Sequence, residues 1–240
     1  MSTRDEARAF FGAIAGRYDR VYAPSAAESR ARMARVLAEL APASRVLDLG
    51  VGTGRELPAL LDAGHTVTGL DLSEEMLARC AQRARPVPLV LGDLWATLPF
   101  DAAAFDAVIA LHGTLAHPPS EAALAPLARE VARVLSDRGV FVMEVPLPSW
   151  SAPPRADLAR TGETEARFTD QASGKAIVAS FFEERVWRAA LTPHLAVTRA
   201  IDEGGELFLT AAKVIPSSGA DSAPTSLGQG FEQGSRPGSP

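Results

Sequence analysis

The chain has 240 residues, of which 47% are apolar and 22% charged, an ordinary composition for one globular domain with a substantial core. Its formal charge of -5 disfavours a broad nucleic-acid-binding surface, because such surfaces depend on clustered Lys and Arg. Cys80 is the only cysteine, which excludes an intrachain disulfide, and the absence of a signal peptide or a long apolar run leads us to expect a cytoplasmic protein without membrane contact.

The first predicted elements are helices in residues 5–40. Apolar residues such as Phe10, Ile14, Met33 and Val36 recur at three- and four-residue spacings, which is typical of an amphipathic helix. A proline at position 24 interrupts this pattern, because proline disfavours continuation of a helix. We therefore predict two helices that cap the domain that follows them.

From residue 45 the pattern changes to short apolar runs, each followed by a turn and an amphipathic stretch. This alternation indicates βαβ units, and strands that are apolar on both faces belong in a buried parallel sheet covered by helices. The segments predicted as strands are 45–49, 66–70, 88–91, 105–110 and 140–145. The segments predicted as helices are 54–63, a helix that Ser73 opens, and 120–135, which residues 137–139 should terminate.

The alternation is lost after Pro146. A hairpin is predicted from segments 164–170 and 176–182, then a helix at 183–191 and two strands at 195–201 and 206–212. Residues 146–182 are interpreted as an insertion or lid of a domain spanning residues 1–215. In residues 216–240, 15 of 25 residues are Pro, Gly or Ser, which predicts a disordered tail.

The segment with the clearest chemical signal is Val46-Leu47-Asp48-Leu49-Gly50-Val51-Gly52-Thr53-Gly54, a strand that ends in alternating glycines before a helix. Glycine allows positive φ and lets a ligand approach the main chain, so this loop is suited to close ligand contact. A dinucleotide-binding loop would need its third glycine at position 55, where Arg55 would obstruct helix packing and the pyrophosphate. Nicotinamide and flavin cofactors are thus disfavoured.

Two further acids follow predicted strands. Asp71 ends the second strand, where its carboxylate can accept hydrogen bonds from both hydroxyls of a ribose. Asp93 follows the third strand and could accept from the exocyclic amine of adenine, while the next main-chain N–H binds a ring nitrogen. Both acids lie at the edge of the sheet where ligands bind in folds of this type.

These residues together resemble the class I S-adenosylmethionine-dependent methyltransferases, particularly small single-domain members that act on metabolites. The resemblance covers about residues 10–145. It implies an α/β, Rossmann-like, doubly wound sheet of seven mostly parallel strands with an antiparallel last strand. It also implies S-adenosylmethionine as cofactor and methyl transfer to an oxygen or nitrogen atom of a small molecule.

The resemblance also assigns residues to parts of the cofactor. Asp48 and the glycine loop would hold the methionine portion, Asp71 the ribose, and Met76 and Asp93 the adenine. Tyr18, in a Tyr-Asp pair of the first helices, would close over the cofactor. The predicted cofactor-binding residues are Tyr18, Asp48, Gly50, Gly52, Gly54, Asp71, Leu72, Met76, Asp93, Leu94 and Leu111.

Candidate general bases lie in the loop after the fourth strand. His112 and His117 follow the strand end that faces the transferred methyl group in this fold, and His117 matches a position where related enzymes often use histidine for local structure. A base is needed chiefly when the acceptor is a hydroxyl or a protonated amine. No metal site is predicted.

Three other functions remain open at this point. The same fold could use bound S-adenosylmethionine for chemistry other than methyl transfer, or it could serve as a non-catalytic partner. The intact glycine loop and ribose acid disfavour the non-catalytic alternative, and Arg55 disfavours a nicotinamide-dependent reductase. The sequence does not identify the acceptor or the oligomeric state.

Overall fold

The computed structural model describes residues 3–22, 24–83, 85–150 and 158–215, with a large mixed sheet at its centre. In the described residues the strands are β1 (Arg45–Leu49), β2 (Thr66–Asp71), β3 (Leu89–Leu91), β4 (Phe105–Ala110), β5 (Leu135–Pro146), β6 (Leu158–Arg160), β7 (Glu165–Thr169), β8 (Ala176–Ser180), β9 (Leu195–Glu203) and β10 (Glu206–Lys213). The helices are α1 (Thr3–Ile14), α2 (Tyr18–Tyr22), α3 (Ala26–Glu39), α4 (Leu57–Asp62), α5 (Glu74–Cys80), α6 (Leu124–Val134) and α7 (Glu184–Leu191).

The central sheet has seven strands in the order β3-β2-β1-β4-β5-β10-β9. Strands β1 to β5 pair in parallel, and β10 pairs antiparallel with both β5 and β9. The predicted fold is therefore confirmed, including the antiparallel last strand. The order reverses between β1 and β4, which is where ligands bind in sheets of this kind.

Helices cover both faces of this sheet because its strands are apolar on both sides. The face that packs against α6 and α7 contributes side chains such as Leu47 and Phe141 to one core cluster. The opposite face contributes Val46, Ile109 and Val142 to a second cluster with α3 and α4. Burial on two sides explains why the sequence of these strands reads as continuous apolar runs.

A second, three-stranded sheet lies in the segment predicted as an insertion. Its strands β6, β7 and β8 pair antiparallel in that order. The predicted hairpin corresponds to β7 and β8, and β6 adds a strand that the sequence did not indicate. Ala166 and Ala179 are buried in this sheet and pack with Phe181.

Several predicted boundaries were wrong. The N-terminal segment forms three helices instead of two, because the chain turns at residues 15–17, where Gly16 has low helix propensity, before α2 begins. Helix α4 starts at Leu57, since the glycine loop extends further than predicted. Helix α6 ends at Val134, and β5 follows at once, so residues 137–139 are strand and not a terminating turn.

The other strand predictions agree with the structure to within a few residues, and β1 and β4 agree in full. The predicted helix cap is also present, since the N–H of Met76 donates to Oγ of Ser73 at the start of α5. The predicted tail, 216–240, lies outside the described residues.

Candidate functional site

A cavity of about 1170 Å³ opens at the carboxyl ends of the parallel strands. Its floor comes from the loops that follow β1 to β5. The N-terminal helices contribute Phe10 and Tyr18 to its walls, and the three-stranded sheet contributes Phe168 and Ile177. The volume exceeds the upper end of the usual range for ligand cavities, about 1,000 Å³.

The glycine loop forms one edge of this cavity. Gly50 and Gly52 both have positive φ, of 70° and 55°. A Cβ on Gly50 would lie 2.5 Å from Cγ2 of Thr114, whereas a Cβ on Gly52 would meet only the carbonyl oxygen of Gly50, at 3.8 Å. The main chain at Gly52 therefore presents an open surface that a side chain would fill.

Gly54 has a different environment from the other two glycines. It also has positive φ, but a Cβ there would lie 2.6 Å from Sγ of Cys80 and 2.9 Å from Cδ1 of Leu57. Gly54 is not among the residues that line the cavity described above. Its geometry gives it a packing role between the loop and α5.

Asp71 ends β2 and is held by main-chain donors. The N–H of Gly52 donates to Oδ2 across 2.8 Å, and the N–H of Ser73 donates to Oδ1 across 2.9 Å. Burial raises the pKa of this carboxyl, and the hydrogen bonds from the main chain oppose that rise. Each oxygen keeps further lone-pair capacity for a donor in the cavity. Leu72 and Met76 line the cavity beside it.

Asp93 lies further along the same edge, with Leu94 beside it. The N–H of Trp95 donates to Oδ1 of Asp93 across 3.0 Å, while Oδ2 pairs with the guanidinium of Arg4 from α1. The predicted adenine acceptor thus already holds a cation from its own chain. The Arg4 side chain is about half exposed, so this pair can be displaced at modest cost.

Asp48 is buried, and its Oδ2 has no hydrogen-bond partner among the described residues. Burial raises the pKa of Asp48 well above its ordinary value, and the nearby carboxylates of Glu56 and Asp71 add to the rise. The residue borders a smaller cavity of about 30 Å³, together with Tyr18 and Leu111. A buried acceptor without a donor costs free energy, and an ammonium group of a ligand would supply that donor.

These features fit S-adenosylmethionine as the resemblance predicts it. Gly52 leaves main-chain space, Asp71 offers two acceptors for a ribose, and the unpaired oxygen of Asp48 suits the ammonium of a methionine group. Tyr18 lines both cavities and stacks against Arg55, whose Cζ lies 5.1 Å from the ring centre. Burial raises the pKa of Tyr18, so its phenol stays neutral.

His112 also lines both cavities. Its φ of 55° is unusual for a residue with a side chain. The ring Nε2 lies 2.5 Å from Oε1 of Glu56, and the main-chain N–H donates to Oε2 of Glu144 across 3.2 Å. The side chain of His112 is therefore fixed by one carboxylate and its main chain by another.

His117 contacts two other elements, β8 and α1. Its Nδ1 lies 2.8 Å from the carbonyl oxygen of Val178 in β8, and its ring packs edge to face against Phe11. Burial lowers the pKa of His117, which keeps the ring neutral. A carbonyl can only accept, so Nδ1 carries the proton and Nε2 keeps a lone pair. The residue lines the larger cavity and joins the loop after β4 to the three-stranded sheet.

Sequence reasoning missed four residues of this site: Arg4, Arg32, Glu56 and Glu144. Nε of Arg32 donates to both carboxylate oxygens of Glu144, at 2.9 and 2.6 Å, and both side chains are buried. A signal for Glu144 was available, because it is the only charged residue in the apolar run 140–145. The other three gave no signal, since their partners are distant in the sequence.

The chain is similar to a family model over part of its length and to a solved structure over most of it. Residues 46–139 match the family model described as "Methyltransferase domain". A solved S-adenosylmethionine-dependent methyltransferase from Clostridium acetobutylicum is 15% identical, with a TM-score of 0.66, and the alignment covers 83% of this chain and 97% of that one. At this identity the likeness shows the fold.

Two relatives are similar over shorter spans. The demethylmenaquinone methyltransferase of Mycolicibacterium gilvum is 36% identical over 141 residues, 58% of this chain and 59% of that protein. The 18S rRNA (guanine-N(7))-methyltransferase of Bos taurus is 39% identical over 66 residues, 28% of this chain and 24% of that protein. The chain thus spans between about a quarter and three-fifths of these relatives.

The described parts of the chain contain no helix long and apolar enough to cross a lipid bilayer.

Proposed function

The chain belongs to the class I S-adenosylmethionine-dependent methyltransferases, and from this premise we propose that it transfers a methyl group to an oxygen or nitrogen atom of a small molecule. S-adenosylmethionine supplies an electrophilic methyl group on a sulfonium. The chain's own residues align the acceptor and exclude water, and good alignment lowers such a barrier by roughly 7 to 11 kcal/mol. The observation that carries the proposal is the unpaired Asp48 oxygen and the open Gly52 surface beside Asp71.

The proposed cofactor contacts follow the edge of the sheet. Asp48, with Leu111 and the glycine loop, is assigned to the methionine portion, Asp71 to the ribose, and Asp93 to the adenine. Leu72, Met76 and Leu94 supply apolar surface, and Tyr18 closes over the cofactor. Gly54 supports the loop from behind, by its contact with Cys80.

A small acceptor is favoured by the rest of the cavity. Beyond the cofactor edge, its walls include aromatic side chains such as Phe11 of α1, Phe168 of β7 and Phe181, which follows β8. The place of the three-stranded sheet in the cavity wall supports the interpretation of residues 146–182 as an insertion or lid. The Mycolicibacterium gilvum relative is named for demethylmenaquinone, a small molecule.

RNA is the second candidate acceptor, because the Bos taurus relative is named for 18S rRNA. The net charge of -5 disfavours it, since RNA binding draws on clustered cations. An assay that includes RNA beside small molecules decides between them.

His112 is the proposed general base, and His117 is the second candidate. Both border the larger cavity. His117 is tied to Val178 and Phe11, contacts that explain its presence without catalysis. His112 contacts two carboxylates at the point where the two cavities meet, which favours it as the base.

The first test is binding of S-adenosylhomocysteine, measured by calorimetry and by thermal shift. A ligand at about 100 times its Kd stabilises the folded chain by roughly 2.7 kcal/mol. Asp71→Ala should weaken binding by ten-fold or more, because each charge-assisted hydrogen bond is worth roughly 1.5 to 3 kcal/mol. Gly52→Arg should abolish it. Asp62→Asn, on the exposed end of α4, is the control and should bind like the wild type.

The second test is methyl transfer itself. The full chain is incubated with methyl-labelled S-adenosylmethionine and a panel of phenols, amines, carboxylic acids, sugars and RNA. Label in a small molecule supports the proposal, and label only in RNA contradicts it. Tight binding of S-adenosylhomocysteine without label in any acceptor would favour the non-methyl or non-catalytic alternatives.

A further inference from the structure

The ring of His112 makes one short contact, with Glu56. Its Nε2 lies 2.5 Å from Oε1 of that carboxyl. Burial acts to raise the pKa of Glu56, but the hydrogen bond and charge of His112, together with Arg55, bring it below the ordinary value, so Glu56 is a carboxylate at neutral pH. A carboxylate only accepts hydrogen bonds, so Nε2 carries the proton. In the neutral form of the ring the lone pair is then on Nδ1.

The main chain of His112 is held just as firmly. A φ of 55° costs free energy for a residue with a Cβ and persists only where the surroundings enforce it. Its N–H donates to Glu144, which Arg32 binds through both carboxylate oxygens. The N–H of Gly113 donates to the carbonyl oxygen of Glu144. Strained backbone of this kind is concentrated at functional sites.

His112 and Glu56 differ in the cavities that they border. Among the described residues, His112 lines both cavities, whereas Glu56 lines only the smaller one. Glu56 is buried, at 8% exposure. His112 therefore borders the larger cavity, where the acceptor would bind, and Glu56 contacts the ring of His112 without bordering that cavity itself.

We propose that Glu56 is a positioning residue: it holds His112 through Nε2–H, so that Nδ1 takes the proton that a hydroxyl acceptor loses on methylation, or that a protonated amine must lose before its nitrogen can attack the methyl group. This inference rests on the proposed function. One proton is released for each methyl group accepted by such an atom, and it passes to Nδ1 to give an imidazolium. The Glu56 carboxylate stabilises that cation until the proton passes to water. Acceptors that lose no proton would not depend on the pair.

The first experiment reads the ring directly and needs no acceptor. Nitrogen-15 NMR of the full chain with S-adenosylhomocysteine assigns the His112 signals by their loss in His112→Gln. The expected result is a neutral ring protonated at Nε2 in the wild type, and a mixture of tautomers in Glu56→Ala. A wild-type ring protonated at Nδ1 would overturn the proposal.

The second experiment uses an acceptor that the panel identifies. Glu56→Gln keeps the size of the side chain and removes its charge. Because the imidazolium loses its counter-charge, kcat should fall roughly 10- to 100-fold and the acid limb of the pH profile should move to lower pH. The matched control is Glu184→Gln, which changes an exposed ion-pair residue of α7. It should keep the wild-type kcat and the wild-type pH profile.

The outcomes separate this inference from the proposed function. If the wild type fails to bind S-adenosylhomocysteine, the proposed function fails. If Glu56→Gln binds S-adenosylhomocysteine normally and keeps both kcat and the pH profile, the positioning role alone is wrong. Thermal unfolding without ligand shows whether a variant is folded, and His112→Gln should lose activity to a similar extent.

Discussion

Gly50 and Gly52 have the same left-handed backbone for different physical reasons. At Gly50 a side chain would collide with Thr114, while at Gly52 it would project into open space beside Asp71. The first glycine therefore serves packing as well as backbone freedom, and the second preserves access for a ligand. The sequence predicted both glycines but could not separate these roles, since Thr114 is distant in the chain.

This difference gives a prediction for alanine substitutions. Gly50→Ala should lower the free energy of unfolding by roughly 1 to 3 kcal/mol, and Thr114→Ala in the same chain should recover part of the loss. Gly52→Ala should reduce the free energy of S-adenosylhomocysteine binding more than it reduces the free energy of unfolding. Urea unfolding and calorimetry measure the two effects. Equal loss of binding in both glycine variants would contradict the distinction.

Arg4 provides a second prediction at the level of single residues. Its guanidinium pairs with the carboxylate that we assign to adenine, so we expect cofactor binding to displace it. Arg4→Ala should lower the Kd for S-adenosylhomocysteine by roughly 2- to 5-fold, since such a half-exposed pair is worth about 1 kcal/mol or less. Arg85→Ala serves as the control, because it removes an exposed ion pair with Asp62 at the end of α4. Weaker binding in Arg4→Ala would mean that Arg4 itself holds the cofactor.

Most of the residues that the sequence predicted for the site lie in the segments that follow predicted strands, whereas Tyr18, in an N-terminal helix, was predicted from the resemblance. Asp71 and Asp93 were predicted because the carboxyl ends of parallel strands meet at one edge. Arg4, which is 89 positions from Asp93, and Glu56, which is 56 positions from His112, could not be found in this way. Nothing local in the sequence indicates which side chains meet after folding.

At the level of elements, one ion pair joins the N-terminal helices to the three-stranded sheet. Arg17, in the turn before α2, pairs with Asp170, in the turn between β7 and β8. The hydrogen bond from Arg17 lowers the pKa of Asp170 to about 2, with a further contribution from Ser173. These contacts connect the two segments that cover the larger cavity.

The pH dependence of stability should report this connection. Because the pKa of Asp170 is lower in the folded chain than its ordinary value, its stabilisation is complete above about pH 4 and is lost as the pH falls towards 2. The difference in free energy of unfolding between the wild type and Asp170→Asn should be constant from pH 5 to 7 and shrink between about pH 4 and 2. Denaturant unfolding at each pH measures it. A difference independent of pH would contradict the assigned pair.

Helices and strands were predicted where the spacing of apolar residues was regular, and they were missed where it was not. Strands β1 and β4 were predicted in full because they are buried on both faces and bounded by turns. The three residues of β6 are too few for any pattern, and only their pairing with β7 makes them a strand. The turn at residues 15–17 was missed because apolar spacing continues across it.

For the whole molecule, every described residue that borders either cavity lies between Thr3 and Glu206. We therefore expect that a chain ending at residue 215 binds S-adenosylhomocysteine with the affinity of the full chain. Calorimetry on both chains tests this expectation. A Kd that rises more than a few-fold would assign residues 216–240 a part in the site, against the proposed domain boundary.

The position of β10 between β5 and β9 affects how the chain can fold as it is synthesised. Strand β9 leaves the ribosome before the strand with which it pairs, and β5 keeps unpaired N–H and C=O groups along one side until β10 arrives. A nascent chain that stops before residue 206 therefore presents an open strand edge to its neighbours, which favours aggregation. Completion of the sheet must await translation of its last strand.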